Sequence, residues 1–351
     1  MKINQYLYKE ITFPFIFITG VLLALLISTE LSETLTKVLT GQYSSNAILV
    51  IIGFQSVLLM PEVIPAAYFL ACLTTLNRFS QDSERAIYNS IGISDIQILK
   101  GLLFATATPV FFIVILLQNV ICPMANSHLN SFIEQQRNRP ITDIVQPKTF
   151  SKLNNTNSTL FAGASNTATG LLTDIFSVDI TDEKLTVIVG DSAATQNTDD
   201  GQVLIIENGQ QTSFSFDPNT TSRKESFSSV SYLIEPATSG SASQKAYSKT
   251  SLELAKTNSK ANIIEIADRI NSALFIPLFC CWAVALTRFK PRSAKAGAMA
   301  IGIFFYILTN FSYRTLESSY SKSDWSVYLS PWWFFVALAL SSLILIQRKA
   351  R

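Results

Sequence analysis

Long apolar runs alternate with polar stretches along the chain, and the longest runs have the length that a membrane requires. A membrane-spanning helix needs about 20 mostly apolar residues. Pro61 and Pro65 lie in the second run and predict a kink there, because each removes a helical hydrogen bond. The pattern predicts six transmembrane helices, at residues 11–29, 48–74, 101–122, 263–287, 295–314 and 330–347.

The polar segment 124–258, between the third run and the fourth, has the pattern of a β domain. Its short stretches of β-branched and apolar residues predict strands. The sequences Asp199-Asp200-Gly201 and Glu207-Asn208-Gly209 are typical of turns between strands. Many short strands without helices between them indicate a sandwich, a barrel or a jelly roll. The predicted strands are residues 158–162, 175–180, 185–189 and 203–206, and residues 236–250 are expected to be a loose linker.

Basic residues near the helix ends predict the orientation in the membrane, since cytoplasmic loops are rich in Lys and Arg. The short loops on the side with few basic residues hold only Lys37, Arg314 and Lys322. Both termini are therefore expected in the cytoplasm and the insert outside it. The domains expected are 1–123 with three helices, 124–258, and 259–351 with three more. The basic residues on the expected cytoplasmic side are Lys2, Lys9, Arg78, Arg85, Lys100, Arg288, Lys290, Arg292, Lys295, Arg348, Lys349 and Arg351.

Composition narrows the classes of function. A net charge of +2 gives no reason to expect a nucleic-acid partner. The four cysteines lie in or beside apolar runs without metal-ligand spacing, and His128 is the only histidine, so no metal site, cofactor or catalytic triad is expected. The sequence contains no P-loop, G-x-S-x-G or H-E-x-x-H motif. We therefore expect that this chain is not an enzyme. If its function uses energy, another chain must supply that energy.

The loop between the second and third helices predicts a short amphipathic helix at about 82–92. Asp82 is a candidate N-cap, and Glu84 lies in the first turn, where negative charge suits the helix dipole. Gly92 is a natural residue to follow the last turn. Ser94 and Gln97 then form a capping-box pattern that begins the next helix.

This short helix has two interpretations. It lies on the lipid headgroups, or it is a coupling helix that fits a groove on a cytoplasmic motor. The spacing of the apolar residues alone favours a helix that lies on the lipid headgroups. The candidate coupling residues are Ser83, Glu84, Arg85 and Ile87.

The fifth predicted helix carries small residues four positions apart, Ala294, Ala298 and Gly302. Small residues so spaced allow close approach of another helix. Packing within the chain and packing against a partner subunit are both open interpretations.

Taken in order, the features of nearly the whole chain resemble the LptF/LptG permeases of the lipopolysaccharide export ABC transporter, the F type most. The six-helix topology and the position of the insert contribute as much as the motifs. The motifs are Tyr6-Leu7 with Lys9-Glu10, Pro65, Ser83-Glu84, Gly92-Ile93-Ser94, Glu265 with Arg269, Pro291-Arg292, and in the insert residues 187–192, 195–196 and 200–203.

The resemblance implies an inner-membrane permease subunit that extracts lipopolysaccharide and passes it to a periplasmic bridge. It implies a heterodimer with a G-type subunit, two copies of a cytoplasmic ATPase, a single-span periplasmic jelly-roll partner and the bridge protein. It also implies that the insert is a jelly roll and that Glu84 contacts the ATPase. A jelly roll offers an apolar trough for acyl chains and edges for strand addition, with Ile188 and Ile205 as candidate inward positions.

One departure from the family pattern concerns the end of the first helix. F-type relatives often carry basic residues there, suited to lipid phosphates, whereas this chain has Glu30 and Glu33, with Lys37 one turn later.

Two alternatives to transport remain: a non-transporting membrane anchor for a periplasmic adaptor, and, ranked last, a lipid-modifying enzyme. The ionisable residues at the span ends, Glu265, Asp268, Arg269 and Arg314, form no recognisable catalytic set in the sequence.

Overall fold

The computed structural model separates the chain into two compact units. One unit contains residues 1–28, 54–127 and 241–351, and the other contains residues 29–53 and 128–240. The structure describes residues 2–39, 43–82, 84–92, 94–137, 148, 150–152, 158–166, 171–180, 184–198, 201–216, 222–234, 247–256, 259–287, 297–322 and 332–348.

Helices occupy all six predicted apolar stretches wherever those stretches are described. Within the described residues, four helical segments are long and apolar enough to cross a membrane: Gln5–Leu39, Ala47–Gln81, Asp95–Gln136 and Ala261–Leu286. Trp332–Gln347 is a shorter apolar helix. The helices are α1 (Lys2–Leu39), α2 (Ala47–Gln81), α3 (Glu84–Ser90), α4 (Asp95–Leu102), α5 (Thr108–Leu116), α6 (Cys122–Arg137), α7 (Ser251–Ala255), α8 (Lys260–Leu286), α9 (Gly297–Lys322) and α10 (Trp332–Arg348).

Two π-helical turns, Leu103–Ala107 and Leu117–Ile121, join α4, α5 and α6 into one continuous helix, which we call the third long helix. Each turn ends two residues before a proline, Pro109 or Pro123. A proline has no N–H and its ring crowds the carbonyl four residues earlier, so a wider turn accommodates it. The Thr108 hydroxyl supports the first π turn by donating to the Leu103 carbonyl at 2.8 Å. These prolines are a sequence signal for the two turns.

Aromatic and aliphatic side chains fill the core of the helical unit. Phe69 of α2 stacks on Phe279 of α8 with ring centroids 4.8 Å apart. The buried hydroxyls of Tyr68 and Thr106 are 2.8 Å apart and share a hydrogen bond. Neighbouring α2, the third long helix and α8 therefore meet in one dry core.

Gly302 of α9 packs against α2 within the same unit. A Cβ placed on Gly302 would overlap Leu73 Cδ1, so only glycine permits this approach. The contact supports packing within the chain for this one of the three predicted small residues. Ala294 lies outside the described residues, as does the side chain of Ala298.

The second unit contains an antiparallel sheet whose strands follow one another in chain order. All four predicted strands lie within it, and each is longer than predicted. The described strands form one six-stranded meander, so they do not by themselves confirm a two-sheet jelly roll. The strands are β1 (Phe150–Lys152), β2 (Ser158–Asn166), β3 (Leu171–Ile180), β4 (Lys184–Thr198), β5 (Gly201–Ser215) and β6 (Arg223–Ile234).

A break in the pairing crosses the sheet, and it corrects one predicted turn. The register passes over Asp174 in β3 and Asn208 in β5, and both have positive φ, 54° and 52°. Glu207-Asn208-Gly209 therefore does not reverse the chain but lies inside β5. The local signal was real, since Asn adopts the left-handed conformation more readily than most residues.

The same break keeps apolar side chains on one face of the sheet. Leu172 and Ile175 are both buried although they are three positions apart, which strict alternation would forbid. Asp174, with its positive φ, lies between them and is skipped by the register together with Gly163 and Asp191 opposite it, so the side chains on both sides of the break share the buried face. The eight buried residues of this core are Leu160, Ala162, Leu172, Ile175, Ile188, Ala193, Leu204 and Ile206.

Candidate functional site

The predicted helix at 82–92 is present as α3, Glu84–Ser90, and its C-terminal end follows the predicted chemistry. The N-cap role of Asp82 stays a prediction, and the Asp82 N–H donates to the Arg78 carbonyl at 2.9 Å. Gly92 follows the last turn with φ +88°, a conformation that suits glycine. The next helix begins with a capping box, in which the backbone N–H of Gln97 donates to Ser94 Oγ and that of Ser94 donates to Gln97 Oε1. Both local predictions are confirmed.

The Glu84 carboxylate is held by the N-terminal part of α1. The Tyr6 hydroxyl donates to its two oxygens at 3.3 and 3.2 Å. Tyr6 also stacks on Phe79, with centroids 5.7 Å apart. Beside them, Arg78 forms an ion pair with Glu10 and lies over the Phe79 ring at 5.6 Å. We call these five residues the Tyr6 cluster.

The outer side of α3 is open. Ile87 is 56% exposed and lies one turn after Glu84, on the same side of α3. Burial, and then the charge of Glu84, raise the pKa of Tyr88, so its hydroxyl stays neutral. Ser83 and the side chain of Arg85 lie outside the described residues. An apolar knob beside a carboxylate is suited to a protein partner with a basic rim.

A second constellation lies in the same unit, around Arg269 of α8. Arg269 is 5% exposed and forms a 2.9 Å ion pair with Glu265, one turn earlier. Its other nitrogens donate to Ser251 Oγ at 3.0 Å, to the Lys249 carbonyl at 3.1 Å and, more weakly, to the Tyr247 carbonyl at 3.5 Å. One guanidinium thus binds the segment Tyr247–Lys256, which we call the strap.

The strap has further attachments to the third long helix. Ser251 Oγ donates to Asn119 Oδ1 at 2.5 Å, and Asn126 Nδ2 donates to Ser248 Oγ at 3.1 Å. Thr250 and Glu253 form a capping box at the start of α7, and Leu254 is buried. The predicted loose linker therefore ends in an anchored segment at 247–250, and residues 236–246 lie outside the described residues.

The strap, α2, the third long helix, α8 and α9 enclose a cavity of about 340 Å³. Its lining includes apolar, polar and charged side chains. Burial, and then the charges of Glu265 and Asp268, raise the pKa of Tyr247 to about 12, so that hydroxyl also stays neutral. The cavity is lined by Leu58, Pro61, Glu62, Pro65, Gln118, Cys122, Pro123, Asn126, Tyr247, Glu265, Asp268, Arg269, Ser272, Phe275, Tyr306, Asn310, Tyr313 and Arg314.

Charged groups from three helices meet at this cavity. Asp268 accepts a hydrogen bond from the Tyr313 hydroxyl at 3.1 Å and another from the carboxyl of Glu317. Arg314 lies 3.3 Å from Glu62 and 3.9 Å from Glu317. Within the described residues, no group of three or more His, Cys, Asp and Glu side chains is placed to hold a metal ion.

Sequence reasoning named four members of this constellation but did not bring them together. Glu265, Asp268, Arg269 and Arg314 all line the one cavity. Glu62, 252 positions away from Arg314, was missed altogether. The i,i+4 spacing of Glu265 and Arg269 was a signal for their ion pair. No local pattern predicts the other contacts.

The candidate lipid-path residues are dispersed. On α1, Lys37 Nζ lies 2.6 Å from Glu33 Oε1, the predicted i,i+4 pair, and Glu30 is half-buried. In the sheet Ile188 is buried in the core. Ile205 is half-buried and lies on the face opposite Leu204 and Ile206, so its expected inward direction is corrected. Lipid contact at these positions stays a prediction.

Comparison with known families shows the family to which the sequence belongs. The profile of the family described as lipopolysaccharide export system permease LptF/LptG matches residues 5–348. The chain belongs to the LptF/LptG family. No individual curated protein matches it. As a member of the LptF/LptG family it is a membrane permease component of lipopolysaccharide export, and both α3 and the polar cavity are parts of a transporter.

Proposed function

We propose that this chain is the F-type permease subunit that moves lipopolysaccharide out of the inner membrane and delivers it to a periplasmic bridge. The family match over residues 5–348 is the observation that carries this proposal. The four long apolar helices and the separate sheet are consistent with it. The chain hydrolyses no ATP itself, and two copies of a cytoplasmic ATPase supply the energy.

The proposed topology extends the helices that the structure describes. All six apolar helices cross the inner membrane, and both termini are cytoplasmic. The domains are 1–123, 124–258 and 259–351, of which the middle one is periplasmic and completes a jelly roll. A G-type subunit forms the other half of the transport cavity, and a single-span jelly-roll protein and the bridge protein continue the path. The excess of basic residues on one side supports this orientation.

In this proposal α3 transmits the motion of the ATPase. Glu84 is held by Tyr6 on its inner side, and exposed Ile87 offers an apolar contact. A charge-assisted contact to a basic ATPase residue would be worth roughly 1.5–3 kcal/mol if partly buried, against about 0–1 kcal/mol if fully exposed. We expect Ser83, Glu84, Arg85 and Ile87 to form this interface.

Charge reversal at α3 tests the proposal. Glu84→Lys should reduce co-purification of the ATPase about tenfold or more and abolish ATP-driven release of lipopolysaccharide from proteoliposomes. Glu84→Ala should have a smaller effect, because it removes attraction without adding repulsion. A basic-to-acidic change in the facing ATPase residue should restore part of the activity of Glu84→Lys.

Glu134→Lys, on an exposed position of α6, is the matched control and should leave both measurements unchanged. The alternative is a membrane anchor that displays a periplasmic adaptor without moving lipid. Wild-type ATPase binding and lipid release in Glu84→Lys would favour that anchor over the transporter.

A further inference from the structure

The cavity beside the strap has the size and the lining of a small-ligand site. Its volume, about 340 Å³, is at the lower end of the range for such sites. A whole glycolipid headgroup would not fit, whereas a compact headgroup would. Leu58, Phe275 and Tyr306 supply an apolar wall, and Asp268 and Arg314 supply opposite charges.

The hydrogen-bond donors on α8 and α9 nearest Asp268 are already engaged. Asp268 and Glu317 hydrogen-bond each other through their carboxyl groups, so one of the two must carry a proton. The Tyr313 hydroxyl already donates a hydrogen bond to Asp268. Arg269 is fully engaged by Glu265 and the strap. A ligand that reaches Asp268 must therefore bring its own N–H donors.

Helix α2 contributes two prolines to the lining of the same cavity. Pro65 has no N–H to donate to the carbonyl of Pro61, and both prolines line the cavity. Carbonyls freed in this way at membrane helices are common ligands of cations. This observation is independent of the carboxylates and indicates the same kind of ligand.

The rim of the cavity has the opposite character. The Arg314 side chain is 58% exposed and is shared by Glu62 at 3.3 Å and Glu317 at 3.9 Å. Neither contact is an ideal bidentate pair, so the guanidinium can turn to an incoming phosphate, which its geometry suits. An anion at the rim and a cation inside are therefore both accommodated.

We propose that this cavity binds the zwitterionic headgroup of an amine-bearing phospholipid. Its primary ammonium group lies against Asp268, whose carboxyl partner is Glu317, and its phosphate lies against Arg314. A quaternary ammonium is rejected because it has no N–H to donate and is too bulky to replace the shared proton. The site is separate from the ATPase contact at α3, and its existence does not depend on the proposed export function.

The test uses the full chain, purified in detergent, with three defined lipids. Phosphatidylethanolamine, phosphatidylcholine and phosphatidylglycerol are added at equal concentration, and retained lipid is counted by native mass spectrometry. We expect phosphatidylethanolamine to be retained about tenfold over each of the others. Equal retention of the three lipids by the wild-type chain would overturn the proposal without any variant.

Variants then locate the preference. Asp268→Asn is nearly isosteric and should reduce the phosphatidylethanolamine preference to about parity, and Glu317→Gln should reduce it less. Glu33→Gln removes a carboxylate elsewhere and should leave the preference intact. A correctly folded Asp268→Asn that keeps the full preference would place the lipid elsewhere and overturn the assignment to this cavity.

One further arm separates the two sources of the same chemistry. Soluble phosphoethanolamine is added as a competitor at the lipid's concentration. Failure to displace the lipid assigns the site to membrane phospholipid, as proposed. Full displacement assigns it to a free headgroup compound and would overturn the lipid part of the proposal while the ammonium contact stands.

Discussion

Two arginine–glutamate pairs in the helical unit have the same chemistry in opposite surroundings. Arg78 and Glu10, in the Tyr6 cluster, have side chains 49% and 29% exposed. Arg269 and Glu265, at the strap, have side chains 5% and 10% exposed. The first pair has an aromatic ring beside it, and the second has a network of hydroxyls and carbonyls around it.

This difference in burial indicates different roles for the two pairs, a docking surface for the exposed pair and a structural contact for the buried pair. An exposed pair typically stabilises a protein by about 0–1 kcal/mol, so its members can change partners at little cost. A buried pair gains little net energy when complete but is expensive to break, because the remaining charge is left without a partner. The Tyr6 cluster is therefore suited to docking, and the Arg269 network is suited to holding the strap.

The largest expected effect is the loss of the buried arginine. Arg269→Leu leaves Glu265 without a partner and frees three groups of the strap, so unfolding should become easier by about 3–5 kcal/mol. Thermal unfolding of the purified protein measures this change. Arg78→Leu is the matched control, with an expected loss of about 1 kcal/mol or less. Equal losses in the two variants would refute the contrast between the regions.

A smaller effect is expected where α9 approaches α2. Gly302→Val would force the new side chain into Leu73, at a cost of about 1–3 kcal/mol. Gly20→Val, at a helical glycine with nothing within 4 Å, is the control and should cost less. Adding Leu73→Ala to Gly302→Val should recover part of the loss. The absence of recovery would show that a different contact opposes the valine.

The smallest effect is expected at the exposed pair on α1. Replacing Glu30 and Glu33 by Lys removes the ion pair with Lys37, which contributes about 0.2–0.5 kcal/mol. Stability and lipopolysaccharide crosslinking should both stay near wild type. A marked rise in crosslinking would mean instead that these carboxylates face lipid phosphate, and a large loss of transport would indicate a contact with a partner.

Local signals in the sequence predicted local structure well. The Ser94–Gln97 capping box and the positive φ of Gly92 follow from residues within a few positions of each other. The apolar runs likewise predicted the helices, since burial of an apolar stretch needs only its length and composition. Asn208 shows the limit, because its tendency to positive φ is the same in a turn and inside a strand.

The cavity could not be predicted because its contacts join distant parts of the chain. Arg314 reaches Glu62 on α2, and Arg269 reaches the strap some 20 positions earlier. Which of several acidic residues an arginine meets depends on how the helices pack. One sequence clue to the cavity was present, since Pro61, Pro65 and Pro123 are themselves among the residues that line it.

The two π-helical turns have a consequence for how this helix tolerates change in length. Each turn accommodates one residue more than an α-helix would, and one residue corresponds to a rotation of about 100°. Deleting a residue within Leu117–Ile121 would return that turn to an α-helix and keep the residues on its two sides in phase. The same deletion within α5 would rotate Cys122 and Asn126 away from the cavity wall, although no residue that lines the cavity had been substituted. Spacing along this helix is thus as much a determinant of the site as the identity of its side chains.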